Sequence, residues 1–301
     1  MYIFRYLAIV FILSTLFCCE TEFIGEYQLE QPSIVIEGWI TDMHSTQRIL
    51  VTHDVERNPY DQSSGEFPIG NARVIISSTS QAADTLIFDG YYKTNNIRGI
   101  AGEKYFLRVE YEGEIYEAET YMPAVPEIDS ISYGRKNVEK ENATLTVPLI
   151  NFTDPPDEEN YYLFRTGSIY EYTDESGDSI EEWSLTHRTD PWLISIFNDT
   201  YINGTHATLN TREGITTARY WMDGNFWHYP GERIFIQMQS ITKEAFDYYK
   251  ALIRQLNYAA GVFHPTPASP PTNISNGGQG FFGASSIVRA ASTIPDSHID
   301  N

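Results

Sequence analysis

The side chains able to do chemistry are few in kind and scattered in position. Seven histidines, His44, His53, His187, His206, His228, His264 and His298, include no pair at a metal-ligand spacing such as His-x-x-x-His. The two thiols, Cys18 and Cys19, are adjacent near the N-terminus, so the body of the chain can form no disulfide framework, zinc knuckle or cysteine nucleophile. No Gly-x-Ser-x-Gly occurs to present a serine nucleophile on a strand-to-helix turn. A retaining or inverting glycosidase needs two carboxyl groups about 5 to 9.5 Å apart in space. The 41 Asp and Glu side chains leave that chemistry open without selecting a pair. No catalytic residue and no cofactor is assigned, and a non-enzymatic protein is expected.

Two sets of residues could bind rather than react. In the acidic run from Glu171 to Glu182, Asp174, Glu175 and Asp178 surround Gly177. A calcium loop wants carboxylates on alternate residues and a glycine at the turn; the run meets this in part, and a solvated hairpin tip accounts for it as well. Tyr220, Trp221, Phe226, Trp227 and Tyr229 could floor a sugar or peptide site by stacking, or equally form core. A third pattern, Gly278-x-Gly280-x-x-Gly283, has the spacing of a dinucleotide loop. It follows a Pro-rich stretch and precedes a strand, where such a loop needs a strand before it and a helix after.

The elements that must position these groups are mostly strands. An aromatic share of 14%, with 21 tyrosines, suits a pleated surface. From Ser33 the chain alternates, with Ile34, Ile36, Gly38 and Ile40 on one face and Val35, Glu37, Trp39 and Thr41 on the other. Further strands recur at sandwich spacing through Tyr121, with Asp89-Gly90 and Glu112-Gly113 as turns. Pro123 and Pro126 interrupt the pattern, since proline cannot donate to a ladder, and place a domain boundary there. A second β-rich domain follows. It contains one helix over about 242–258, with Thr242 as N-cap and an apolar face of Phe246, Tyr249, Leu252, Ile253 and Leu256.

The N-terminus reads as an address. Arg5 precedes an apolar run from Leu7 that ends in Leu16-Phe17-Cys18-Cys19, which fits a signal peptide and is too short for a span of ~20 residues. Cleavage before Cys19 suits the spacing, with an apolar residue three positions earlier and a small one immediately before. Cys19 would then carry acyl chains in the outer-membrane lipid, and multiple chains hold a protein where one gives marginal binding. The expected organisation is a leader at 1–18, an acidic tether at 19–32, a sandwich at 33–123 and a β-rich domain at 124–301. A formal net charge of -21 argues against nucleic acid as a partner.

Several stretches resemble known families. Glu20, Glu22, Glu26 and Glu30 resemble the acidic export tag of Bacteroidota surface lipoproteins, or are an ordinary solvated tether. The order Gly90-Tyr91, Gly102 with Tyr105-x-Leu107-x-Val109, and Tyr116-x-Ala118-x-Thr120 resembles transthyretin-like and carboxypeptidase-regulatory-like modules. Asp84-Thr85-Leu86, Asp129-Ser130-Ile131 and Asp178-Ser179-Ile180 resemble Bacteroidota O-glycosylation sites, which would modify Thr85, Ser130 and Ser179. Val35-x-Glu37-Gly38-Trp39-Ile40-Thr41-Asp42, Met122-Pro123-x-Val125-Pro126-x-Ile128-Asp129-Ser130-Ile131 and Pro271-x-Asn273-Ile274-x-Asn276-Gly277-Gly278-x-Gly280-Phe281-Phe282-Gly283-Ala284 together resemble the Bacteroidota lipoproteins of domain of unknown function 4249. The export-tag resemblance implies a protein facing the cell exterior, and the family resemblance implies an envelope lipoprotein accessory to a TonB-dependent transporter. An extracellular glycan hydrolase and a structural or adhesive surface protein are the alternatives.

Overall fold

The computed structural model describes residues 33–53, 68–138, 143–174, 176–185, 195–210, 215–216, 231–256 and 269–295. The leader, Cys19 and the acidic tether lie outside the described residues, as do Glu175 and the aromatic set Tyr220, Trp221, Phe226, Trp227 and Tyr229.

The alternation that starts at Ser33 builds the first sandwich. Its strands are β1 (Ile34–Thr41), β2 (Gln47–His53), β3 (Arg73–Ser78), β4 (Asp84–Thr85), β5 (Ile87–Asp89), β6 (Tyr91–Thr94), β7 (Lys104–Tyr111) and β8 (Glu114–Tyr121). One sheet runs β1-β2-β6-β5, and the facing sheet runs β4-β3-β7-β8. Ile36, Ile40 and Ile49 from the first meet Val74, Leu107 and Val109 from the second in one buried core. Each such side chain, fully buried, contributes about 1.5 to 3 kcal/mol. Glu112 (φ 50°) and Gly113 (φ 87°) make the tight β7–β8 turn expected of them, both in the left-handed region that two-residue hairpins require.

The second half contributes β9 (Ile128–Val138), β10 (Ala143–Thr153), β11 (Tyr161–Thr173), β12 (Ser179–Leu185), β13 (Ser195–Asn198), β14 (His206–Asn210), β15 (Ile215–Thr216), β16 (Arg233–Ile241), α1 (Lys243–Leu256) and β17 (Gln279–Thr293). Strands β14-β10-β9 form a small sheet. Its Ile150 and Phe152 pack on Tyr162, Phe164, Ile236 and Met238 from β11 and β16. The result is mostly β with a helix near the C-terminal end, as the sequence predicts.

The long strand β17 joins the two halves. Gln279 to Ser285 pair in parallel with Val35 to Thr41 of β1, and Ser286 to Thr293 pair antiparallel with β16. One sheet therefore runs β15-β13-β11-β16-β17-β1-β2-β6-β5, with β12 beside β11. The expected division at 123/124 is crossed by this pairing, and Ser33–Asn301 is a single compact unit. Pro123 and Pro126 do interrupt the ladder, in the connector between β8 and β9. They report a local break, whereas the parallel pairing of β1 with a strand near the other end of the chain has no local signal.

Helix α1 begins where its cap predicts. The Ala245 N–H donates to Thr242 Oγ1 (3.2 Å) and the Phe246 N–H to the Thr242 carbonyl (2.9 Å). Glu244 in the first turn and Arg254 in the last complement the helix dipole. Its apolar stripe of Ala245, Phe246, Tyr249 and Ile253 docks on Leu163, Ile196 and Ile241, the face of the long sheet opposite the small sheet.

Candidate functional site

The stretch from Pro271 to Ala284 is occupied in holding strands. Ser275 acts as a partner for the outer edge of β8: its N–H donates to the Glu117 carbonyl (2.8 Å), and its Oγ accepts the Glu117 N–H (2.7 Å). Asn273 Nδ2 donates to the carbonyls of Phe282 (2.7 Å) and Glu119 (3.3 Å), and its Oδ1 accepts the Phe282 N–H (2.9 Å). An edge strand that would present unpaired backbone groups is thereby covered. Gly280 has φ 89°, and a Cβ there would stand 2.3 Å from the Ile36 carbonyl oxygen. The glycine spacing thus serves a turn into a parallel strand rather than a phosphate loop.

Trp39, on the second face of β1, meets the helix. Its ring stacks on Tyr249 (centroids 5.5 Å apart, 22° between planes) and approaches Phe281 at 6.1 Å. Tyr248 stacks on Phe281 at 4.9 Å, and its hydroxyl donates to Glu37 Oε1 at 3.4 Å. These aromatics fasten α1 across the junction of the two halves and are core.

Beyond the helix, the same face of the long sheet changes character. Directly opposed residues in an antiparallel pair share a face. Arg165 on β11 opposes Gln237 on β16, and Gln237 opposes Arg289 on β17, so the three lie in one row. Arg289 Nε donates to Gln237 Oε1 (2.8 Å), and its guanidinium lies 5.1 Å from the Phe235 ring centroid and 6.0 Å from that of Trp183. Burial lowers the Arg289 pKa below the ordinary guanidinium value. Arg165 lies beside the Tyr249 hydroxyl, and its Nε is buried without a hydrogen-bond partner. Next along β16, Gln239 accepts from Ser285 Oγ (3.0 Å). Gln237 and Gln239 are only 3% and 6% exposed.

Elsewhere, the outer face of β3, β7 and β8 carries an open depression of about 470 Å³, lined by Ile75, Phe106, Arg108, Glu117, Glu119 and Asn273. Arg108 there is already paired with Glu110 and Glu117, both at 2.8 Å.

The described residues singled out from sequence lie apart from the arginine row. Asp174 closes the β11–β12 hairpin, its Oδ1 accepting from the Ser176 N–H (2.9 Å), the Ser176 hydroxyl (2.8 Å) and the Asp178 N–H (2.9 Å). These bonds, that from Asp178 foremost, hold its carboxyl below the usual range. Gly177 sits at φ 89° in the same tip. Among the described residues no three His, Cys, Asp or Glu side chains are grouped to hold a metal ion. Thr85, Ser130 and Ser179 are all exposed, on β4, β9 and β12. The row itself could not be read from sequence, because each arginine sits in a different strand and only the register brings them together.

Two sandwiches sharing one long strand, with a helix laid across their junction, define a mostly β protein. Residues 20–290 match the family described as Domain of unknown function (DUF4249), and the chain belongs to that family. No curated protein matches the chain.

Proposed function

We propose that this protein is a lipid-anchored accessory protein of the outer membrane, facing the cell exterior of a Bacteroidota bacterium and assisting a TonB-dependent transporter to bind or take up a nutrient. The leader carries this reading: an apolar run closing on Cys18-Cys19, followed at once by Glu20 and Glu22. Acyl chains on Cys19 hold the protein at the membrane, and the two joined sandwiches form one compact unit for contact with a barrel or its substrate. Affinity purification from the protein's own membranes, after mild crosslinking, is expected to recover a transporter barrel. Repeated recovery of the protein alone would remove the accessory role.

A further inference from the structure

We propose that the row Arg165, Gln237 and Arg289 is a binding site for a small oxyanion, a carboxylate or phosphate group on a soluble molecule. The inference holds whether or not the protein has a transporter partner.

The register is the first support. Arg165 and Arg289 flank Gln237 on neighbouring strands of one face, so both guanidinium forks rise from positions a strand's width on either side of a common centre. Strands lie about 4.8 Å apart, so the two arginines start about 10 Å apart across Gln237, a span that two side chains of this length can close on one group. Guanidinium is a planar donor array matched to carboxylate and phosphate oxygens.

The second support is what the arginines lack. Among the described residues neither has a carboxylate partner, and Arg165 Nε is buried with no acceptor. The chain carries 41 acidic against 20 basic side chains, so an arginine without an acid is the exception. Arg233, four residues before Gln237 on the same face, shows the ordinary case by bonding both Glu171 and Glu181. Both arginines are half-buried, with the Glu37 carboxylate no nearer to Arg165 than across the Tyr249 hydroxyl that both act on, and an incoming oxyanion would supply the acceptor that Arg165 Nε lacks.

The third support is the way the row is built. The Arg289 guanidinium lies over the Phe235 and Trp183 rings, within cation–π range, and its Nε is taken by Gln237. The middle of the helix supplies Tyr249 beside Arg165.

The test uses the whole mature protein at constant ionic strength, titrated with inorganic phosphate in one arm and succinate in the other, and followed by calorimetry and thermal unfolding. Saturable binding of at least one probe is expected, and the arm that saturates identifies phosphate or carboxylate as the preferred group. Arg165→Gln and Arg289→Gln should each weaken it by at least ~10-fold, the loss of a charge-assisted pair. Arg289→Lys, which keeps charge and bulk but loses the fork, should weaken it as well. Arg108→Gln, an arginine already paired on the other sheet, should leave it unchanged. The proposal is overturned if neither probe binds saturably, or if Arg108→Gln weakens binding as much as Arg289→Gln. It is equally overturned if Arg165→Gln and Arg289→Gln reduce thermal stability while the wild type answers to neither probe, which would mean that the chain supplies its own counter-charge.

Discussion

Gly280 and Gly277 belong to the same short stretch and both have positive φ, 89° and 73°, yet they stand in different surroundings. A Cβ at Gly277 meets nothing within 4 Å. At Gly280 it would lie 2.3 Å from the Ile36 carbonyl oxygen and 2.9 Å from its carbon, backbone atoms of β1 that cannot swing aside as a side chain can. Gly277→Ala therefore carries only the left-handed penalty, about 1 to 2 kcal/mol. Gly280→Ala carries that penalty plus overpacking of about 1 to 3 kcal/mol, and it strains the parallel β1–β17 pairing that ties the two halves together. In urea unfolding at constant m, the midpoint of Gly280→Ala should fall well below that of Gly277→Ala. Equal midpoints for the two variants would refute the close approach of β17 to β1 and with it the joint between the sandwiches.

Two further outcomes follow from packing and burial. Trp39→Ala removes the ring that stacks on Tyr249 and touches Phe281, and should cost about 3 kcal/mol by urea unfolding. A loss below about 1 kcal/mol would show that α1 does not rest on it. Burial holds the Asp42 carboxyl above its ordinary 3.8, against the lowering effect of the Ile287 N–H it accepts at 2.9 Å. Because the folded-state value is raised, the stability Asp42 contributes is fully present below 3.8 and is lost as pH rises through the folded value. Asp42→Asn keeps an oxygen for Ile287 and removes the charge. It should match the wild type at about pH 3 and exceed it at about pH 7, with urea midpoints at the two values as the check. Identical midpoints for both proteins at pH 7 would contradict the burial argument.

What could be read from the sequence was what local order specifies. The alternation from Ile34 to Thr41, the Glu112-Gly113 turn and the Thr242 cap each have a cause within a few residues, and each recurs in the structure. The stretch from Pro271 to Ala284 stood out by its types, but its role depends on Glu117, Glu119 and Ile36, which are distant in the chain. The boundary read at Pro123 rests on a local break, and nothing near it announces that β17 returns to pair with β1. Arg165, Gln237 and Arg289 carried no signal of their own. A lone arginine in a strand reads as a solvated side chain until two ladder registers set it beside another. The aromatic set around Trp221 and Trp227 lies outside the described residues.

The proposal that this is an envelope lipoprotein rests on one residue, and a mass spectrum of the mature N-terminal peptide from native membranes tests it most directly. The account predicts a chain beginning at Cys19 and carrying a diacylglycerol on its thiol and a further acyl group on its amine, with Cys19→Ala released from the membrane fraction. A mature chain that begins elsewhere, an unmodified Cys19, or a Cys19→Ala variant that still sediments with membranes would contradict it.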